Sequence, residues 1–165
     1  MQNMRKGHAY TFGDNINTDI ISPPQYMELT AADAAKFAMS AVDTEFATTV
    51  KPGDIIVAGK NFGSGSSREL APLSLRHLQV GAIVAKTFAR IFYRNAINLG
   101  LPVVECADTN KIRKGDHLEI DFVKGEIRNE TQNETYPCSS LPSHILALVQ
   151  EGGLIPYLKK RQKKS

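Results

Sequence analysis

Cysteine is scarce and tryptophan is absent. The two cysteines of the 165-residue chain, Cys106 and Cys138, stand far apart, with no C-x-x-C pair and no neighbouring histidine. That spacing excludes a disulfide framework and a cysteine-based metal site. The four histidines, His8, His77, His117 and His144, form no H-x-x-x-H or related pattern and read as surface or structural groups. No apolar run approaches the roughly 20 residues that a membrane helix needs, so no membrane partner is expected. The opening Met1-Gln2-Asn3-Met4-Arg5-Lys6-Gly7-His8 lacks the apolar stretch of a signal peptide. A cytoplasmic location follows as the expectation, and the sequon-like triplets at Asn129 and Asn133 then carry no meaning.

Positive charge is scarcer than the net +3 suggests. Lys159, Lys160, Arg161, Lys163 and Lys164 supply five positive charges, so the rest of the chain sums to 3 − 5 = −2. The expected organisation is one domain over residues 1–158 and a basic, solvated and disordered tail over 159–165. A slightly acidic body argues against nucleic acid as a partner. Hydrophobic residues make up 42% and charged residues 22%, a balance that excludes global disorder and permits one buried core.

Turn signals punctuate what remains. Phe12-Gly13-Asp14, Pro52-Gly53-Asp54 and Lys114-Gly115-Asp116 mark tight turns. Residues 17–22 read as extended, stopped by Pro23-Pro24. Thr30 looks like the cap of an alanine-rich helix running toward Ala41. Short apolar runs at 54–58, 82–85 and 102–105 have the character of strands covered on both faces. Helical stretches at about 69–79 and 88–98 separate them, the second closed by Gly100. Strand, helix, strand, helix, strand favours parallel pairing with crossover helices. Residues 117–123 and 126–128 flank Lys124-Gly125 like a hairpin, and 143–150 form a last helix ended by Gly152-Gly153. The reading is one mixed α/β domain with an antiparallel excursion.

The chemistry concentrates in Gly63-Ser64-Gly65-Ser66-Ser67-Arg68-Glu69. Two glycines allow the backbone to approach a ligand, and three serines add hydroxyls. The loop runs into a helix start, where free amides favour an anion. Arg68 brings a fork matched to a carboxylate, and Glu69 stands three residues after Ser66 at capping-box spacing. The Walker pattern fails for want of a lysine after Gly65, and the dinucleotide fingerprint fails because Arg68 stands where its third glycine would be. The G-x-S-x-G elbow of serine hydrolases is also missing. A small carboxylate is the natural ligand left. Arg90 and Arg94, one turn apart among Phe88, Phe92 and Tyr93, fit either cations displayed beside aromatics or a helix with one packed and one solvated face.

Three motifs in order carry a resemblance: Asn17-Thr18-Asp19-Ile20-Ile21-Ser22-Pro23, Gly59-Lys60-Asn61-Phe62 followed by the glycine-serine loop, and Ala89-Arg90-Ile91-Phe92-Tyr93-Arg94-Asn95-Ala96-Ile97-Asn98-Leu99-Gly100-Leu101-Pro102. The chain resembles the small subunits of 3-isopropylmalate isomerase (isopropylmalate dehydratase), which are similar to the swivelling domain of aconitase. The resemblance implies a single swivelling β/β/α domain of the aconitase C-terminal type. It also implies a hydro-lyase active only with a large partner subunit, in a heterodimer or higher heteromer. The [4Fe–4S] cluster is expected on that partner, with no cofactor or metal on this chain. The implied reaction interconverts 2- and 3-isopropylmalate by dehydration and rehydration, a step of leucine biosynthesis.

By the same resemblance, Ser66 is the base that removes the proton alpha to a carboxylate, and the partner's cluster acts on the departing hydroxyl. Arg68 grips a substrate carboxylate, with Asp19, Ser64 and Ser67 as further substrate-binding residues. Tyr26-Met27-Glu28-Leu29-Thr30 matches the family's specificity loop. Glu28 departs from both the apolar isopropylmalate pattern and the arginine of homoaconitase-like members. A carboxylate there repels a third substrate carboxylate. The rival readings are a citramalate- or dimethylmalate-type or homoaconitase-type hydro-lyase, a stand-alone carboxylate-binding module, and an RNA-binding protein using the tail.

Overall fold

The computed structural model describes residues 3–164. Its frame is a seven-stranded mixed sheet in the order β4-β3-β2-β1-β5-β6-β7. The central strand β1 (Met4–Thr11) has two kinds of partner. Its last residues run parallel to β2 (Ile55–Ala58), with Ala9 opposite Ile55, and its first residues run antiparallel to β5 (His117–Asp121), with Gly7 opposite Leu118.

Between β1 and β2 the chain forms three short helices, α1 (Thr18–Ile21), α2 (Ala31–Ala35) and α3 (Phe46–Thr49). Helix α4 (Leu70–His77) then leads to β3 (Ala82–Ala85), and α5 (Arg90–Asn98) leads to β4 (Val103–Glu105). The remaining strands β6 (Glu126–Asn129) and β7 (Glu134–Pro137) extend the hairpin side, and α6 (Ser143–Gln150) follows. The parallel half and the antiparallel excursion are both as expected from the order of sequence signals.

Burial explains the two halves. Every residue of β2 and β3 is buried, because helices cover the parallel half. Each large side chain there, such as Ile55, Ile56 or Ile83, contributes about 1.5–3 kcal/mol by leaving water. On β5 the burial alternates, with Leu118 and Ile120 inward. The two sheet ends also meet, since Ser139 N donates to Glu105 O and Glu105 N to Ser139 Oγ, both at 2.8 Å. The segment after β7 thereby covers the edge of β4.

Inside the antiparallel half, buried Asp116 accepts hydrogen bonds from Arg113 N (2.9 Å), Asn129 Nδ2 (2.8 Å) and Gln132 Nε2 (2.6 Å). Burial alone would raise its pKa. The three donors outweigh that effect and hold the carboxyl below its ordinary value.

Several expectations need correction. Within the run 17–22 expected to be extended, residues 18–21 are helical, and only the caps Asn17 and Ser22 keep extended backbone. Asn17 caps α1, its Oδ1 accepting from Ile20 N at 2.9 Å, and this local side-chain bond overrides the strand-like run. Thr30 does cap α2 through Asp33 N at 3.2 Å, but the helix stops at Ala35, and beyond it Met39 takes a left-handed φ of 63°. Strands β1 and β7 were not foreseen; only Ala9 and Tyr136 are buried in them, so neither shows a strong alternation.

The boundary expected between 158 and 159 falls inside an eleven-residue helix, α7 (Leu154–Lys164). Lys159, Lys160, Arg161 and Lys163 are exposed, yet they continue the helix instead of forming a disordered tail. Lysine, arginine and glutamine are good helix formers, and cations toward a helix C-terminus complement its dipole. Ser165 lies outside the described residues.

Candidate active site

The glycine-serine loop leaves β2 through Phe62, a fully buried ring packed edge-to-face on Phe88 (5.9 Å between centroids) and Phe92 (5.2 Å). Backbone bonds tie the same point to the lead-in of α5, with Phe62 N donating to Thr87 O (3.0 Å) and Ala89 N to Phe62 O (2.9 Å). The base of the loop and the start of α5 therefore form one rigid unit.

Two glycines let the loop pass between α1 and α5. Gly63 has φ +84°, and a Cβ there would lie 2.2 Å from Cγ of Phe92. Its N–H donates to Ile16 O at 2.8 Å. Gly65 has φ +103°, with Thr18 Oγ1 3.1 Å from where a Cβ would sit. Between them Ser64 O accepts from Thr18 N at 2.8 Å. Buried Thr18 also brings its hydroxyl to 3.3 Å from Ser66 Oγ.

Arg68 is largely buried, at 18% side-chain exposure, and its Nη2 pairs with Oδ1 of the more exposed Asp19 on α1. Its Nε is buried and has no acceptor. Buried donors are nearly always satisfied, so this N–H marks a place for an acceptor.

A cleft of about 300 Å³ opens between the loop and α5. Ser66, Ser67 and Arg68 line one side, Arg90, Ile91 and Asn95 the other, and Thr18 lies at their junction. No side chain caps α5, so its first-turn amides remain available at this cleft. A concavity with hydroxyls, a guanidinium and a helix start suits an anion with neighbouring hydroxyl groups.

The structure thus brings Ser66, Ser67 and Arg68 together, with Asp19 behind Arg68. Ser64 contributes its carbonyl to Thr18 and does not line the cleft. The expected capping box does not form. Helix α4 starts at Leu70 behind Glu69, whose side chain makes no cap bond, while the Ser66 hydroxyl is turned to Thr18. The helix start that faces the cleft belongs to α5 instead.

The segment 26–30 does not line the cleft. Tyr26 stacks on Phe37 (3.8 Å, 8° between planes), Thr30 is spent on its cap, Glu28 is exposed, and Met27 and Leu29 are 47% and 42% exposed. Thr18, Arg90, Ile91 and Asn95 were missed as cleft residues. An uncapped helix start at Ala89-Arg90 was the available signal for three of them.

The chain's cysteines do not fit a metal cluster. They are only two, fewer than such a cluster takes, and burial, followed by neighbouring Cys106, Asp121 and Glu126, pushes the Cys138 thiol up to about 12, while burial likewise raises Cys106. No group of three or more potential metal-ligating side chains occurs among the described residues, and none of their helices is long and apolar enough to cross a membrane.

A family model for the aconitase C-terminal domain matches residues 2–109. The 3-isopropylmalate dehydratase small subunit of Methanosarcina mazei is 50% identical over 156 residues, covering 94% of this chain and 96% of the relative. The isopropylmalate/citramalate isomerase small subunit of Methanocaldococcus jannaschii is 47% identical over 167 residues, covering 100% of this chain and 99% of the relative. A crystal structure of 3-isopropylmalate dehydratase from Methanocaldococcus jannaschii matches with a TM-score of 0.92 at 43% identity, covering 98% of this chain and 99% of that one.

Proposed function

The chain belongs to the 3-isopropylmalate dehydratase small subunits, within the aconitase C-terminal domain family, and we propose that it is the substrate-gripping half of a hydro-lyase that interconverts 2- and 3-isopropylmalate in leucine biosynthesis. The observation that carries this reading is Arg68 lining the same cleft as Ser66, with its buried Nε left without an acceptor. A substrate carboxylate supplies the missing acceptor. Arg68 keeps Asp19 on one nitrogen and still has donors for that carboxylate, because a guanidinium carries five N–H bonds.

Ser66 is the base. Its oxygen takes the proton from the carbon alpha to the bound carboxylate, and returns one when water is added back in the other orientation. A serine needs help to act as a base at neutral pH. The Thr18 hydroxyl can donate to the Ser66 oxygen, and the Arg68 charge and the α5 amides favour its ionised form. Ser67 offers its hydroxyl to the substrate as a hydrogen-bond partner, and Ser64 acts through the carbonyl that anchors Thr18.

Tyr26-Met27-Glu28-Leu29-Thr30 are assigned to substrate choice. The exposure of Met27 and Leu29 supports a role completed by contact with the partner. That partner is a large subunit carrying the [4Fe–4S] cluster, which the two cysteines of this chain are too few to hold. The pair is assigned to the cytoplasm. Citramalate is the second substrate reading, supported by the relative named for both acids.

The test is anaerobic reconstitution with the large subunit. Activity is expected only for the pair, and Ser66→Ala should lower kcat at least a hundredfold, the scale of a lost general base. Full turnover by the isolated chain, or by a Ser66→Ala pair, overturns the assignment.

A further inference from the structure

We propose that Arg90 is a second carboxylate-binding residue of this cleft, taking the carboxylate that Arg68 does not. The inference rests on the reading of the cleft as a hydroxy-diacid site and adds a second cation to it. The Arg68 charge is already offset by Asp19. A diacid carries two negative charges, and no aspartate or glutamate lines the cleft. Arg90 supplies one positive charge that no carboxylate of the cleft already offsets.

Arg90 is exposed, and its side chain makes no ion pair, hydrogen bond or ring contact among the described residues. Its neighbour one turn along α5 is another cation, Arg94, so its own helix offers no counterion. A cation is also unfavourably placed at the first position of a helix, where the dipole is positive. An anion bound there reverses that penalty, because it meets the guanidinium and the uncapped amides together. Arg90 also borders a groove with Arg94, Ile145 and Leu148, but only the cleft carries the serine hydroxyls.

Position supports the role as well. Arg68 follows β2, and Arg90 opens α5. The Phe62–Phe88–Phe92 ring cluster and the Ala89 N to Phe62 O bond fix those two elements against each other. Two guanidinium-bearing backbones held at a set separation suit a short diacid whose reacting carbon lies at Ser66. A carboxylate held equally in the ground state and the transition state lowers KM and leaves kcat alone.

The experiment uses the reconstituted complex with Arg90→Gln and Arg90→Lys, on isopropylmalate and citramalate. It also compares inhibition by a saturated hydroxy diacid and by its mono-amide. For Arg90→Gln, KM should rise roughly 10- to 100-fold, the worth of one charge-assisted hydrogen bond, with kcat within about threefold. The acid-over-amide preference should fall by a similar factor, with Arg90→Lys between the two.

Unchanged KM and unchanged preference in Arg90→Gln, against a clear loss in Arg68→Gln, overturn the role of Arg90 and leave the proposed activity standing. Weakened subunit assembly with unaltered acid-over-amide preference also overturns it, placing Arg90 in the subunit contact. Turnover of citramalate alone defeats the isopropylmalate reading, and the Arg90 effect is then read on citramalate.

Discussion

Replacing Gly63 with alanine puts a methyl group 2.2 Å from Cγ, 2.4 Å from Cβ and 2.7 Å from Cδ2 of Phe92. Phe92 cannot yield easily, because it is buried and packed on Phe62 at 5.2 Å. The left-handed backbone at φ +84° adds a penalty of about 1–3 kcal/mol for any residue with a Cβ. Overpacking against the ring adds roughly 1–3 kcal/mol more. The expected destabilisation is thus about 2–6 kcal/mol, a large part of the roughly 5–15 kcal/mol typical of a domain.

Urea unfolding followed by circular dichroism measures this as a lowered midpoint with an unchanged slope. Gly13→Ala is the matched control, since its backbone is not in the left-handed region and a Cβ there meets nothing within 4 Å. It should lie within about 1 kcal/mol of the parent. The same shift in Gly63→Ala would push the loop away from α5, so the reconstituted complex should lose activity beyond what its unfolded fraction explains. A Gly63→Ala protein with the parent's midpoint and activity would refute the wedging of the loop against Phe92.

Two further outcomes follow from the geometry. Thr18→Val removes the hydroxyl 3.3 Å from Ser66 Oγ while keeping the buried volume, so kcat should fall about tenfold or more with KM nearly unchanged; an unaltered kcat would remove Thr18 from the activation of Ser66. Asp116 has its carboxyl held below the ordinary value, so its contribution to stability is complete above the unfolded value of about 3.9 and is lost as pH falls through the depressed folded value. Asn129→Ala should lower stability near neutrality by about 1–3 kcal/mol and flatten that acid limb in urea midpoints taken between about pH 2 and 6. An unchanged acid limb would show that Asn129 does not hold the carboxyl down.

Much of the fold was legible because its causes are local. Four consecutive apolar residues can be a strand only where both faces are covered, and Ile55–Ala58 and Ala82–Ala85 are such strands. Helix α6 runs over the residues that its pattern and Gly152-Gly153 marked. The loop at 63–69 was legible for the same reason. Its glycines, hydroxyls and arginine stand side by side in the chain, so their residue types alone announce a place where backbone and cation can meet an anion.

Pairings between distant residues could not be read in that way. The Asp19–Arg68 ion pair and the Thr18–Ser66 contact join residues nearly fifty positions apart, brought together by α1 and the loop after β2. Strand β1 pairs on both sides although its own residues are mostly half-exposed, so its place depends on its neighbours rather than its pattern. The sequence alone determined that the chain is a mixed α/β domain carrying a glycine-serine loop whose residue types suit an anion. Tertiary structure decided that the helix start facing that loop is α5 and not α4, because the Phe62 cluster, and not chain order, sets which amides and which arginine share the cleft with Ser66.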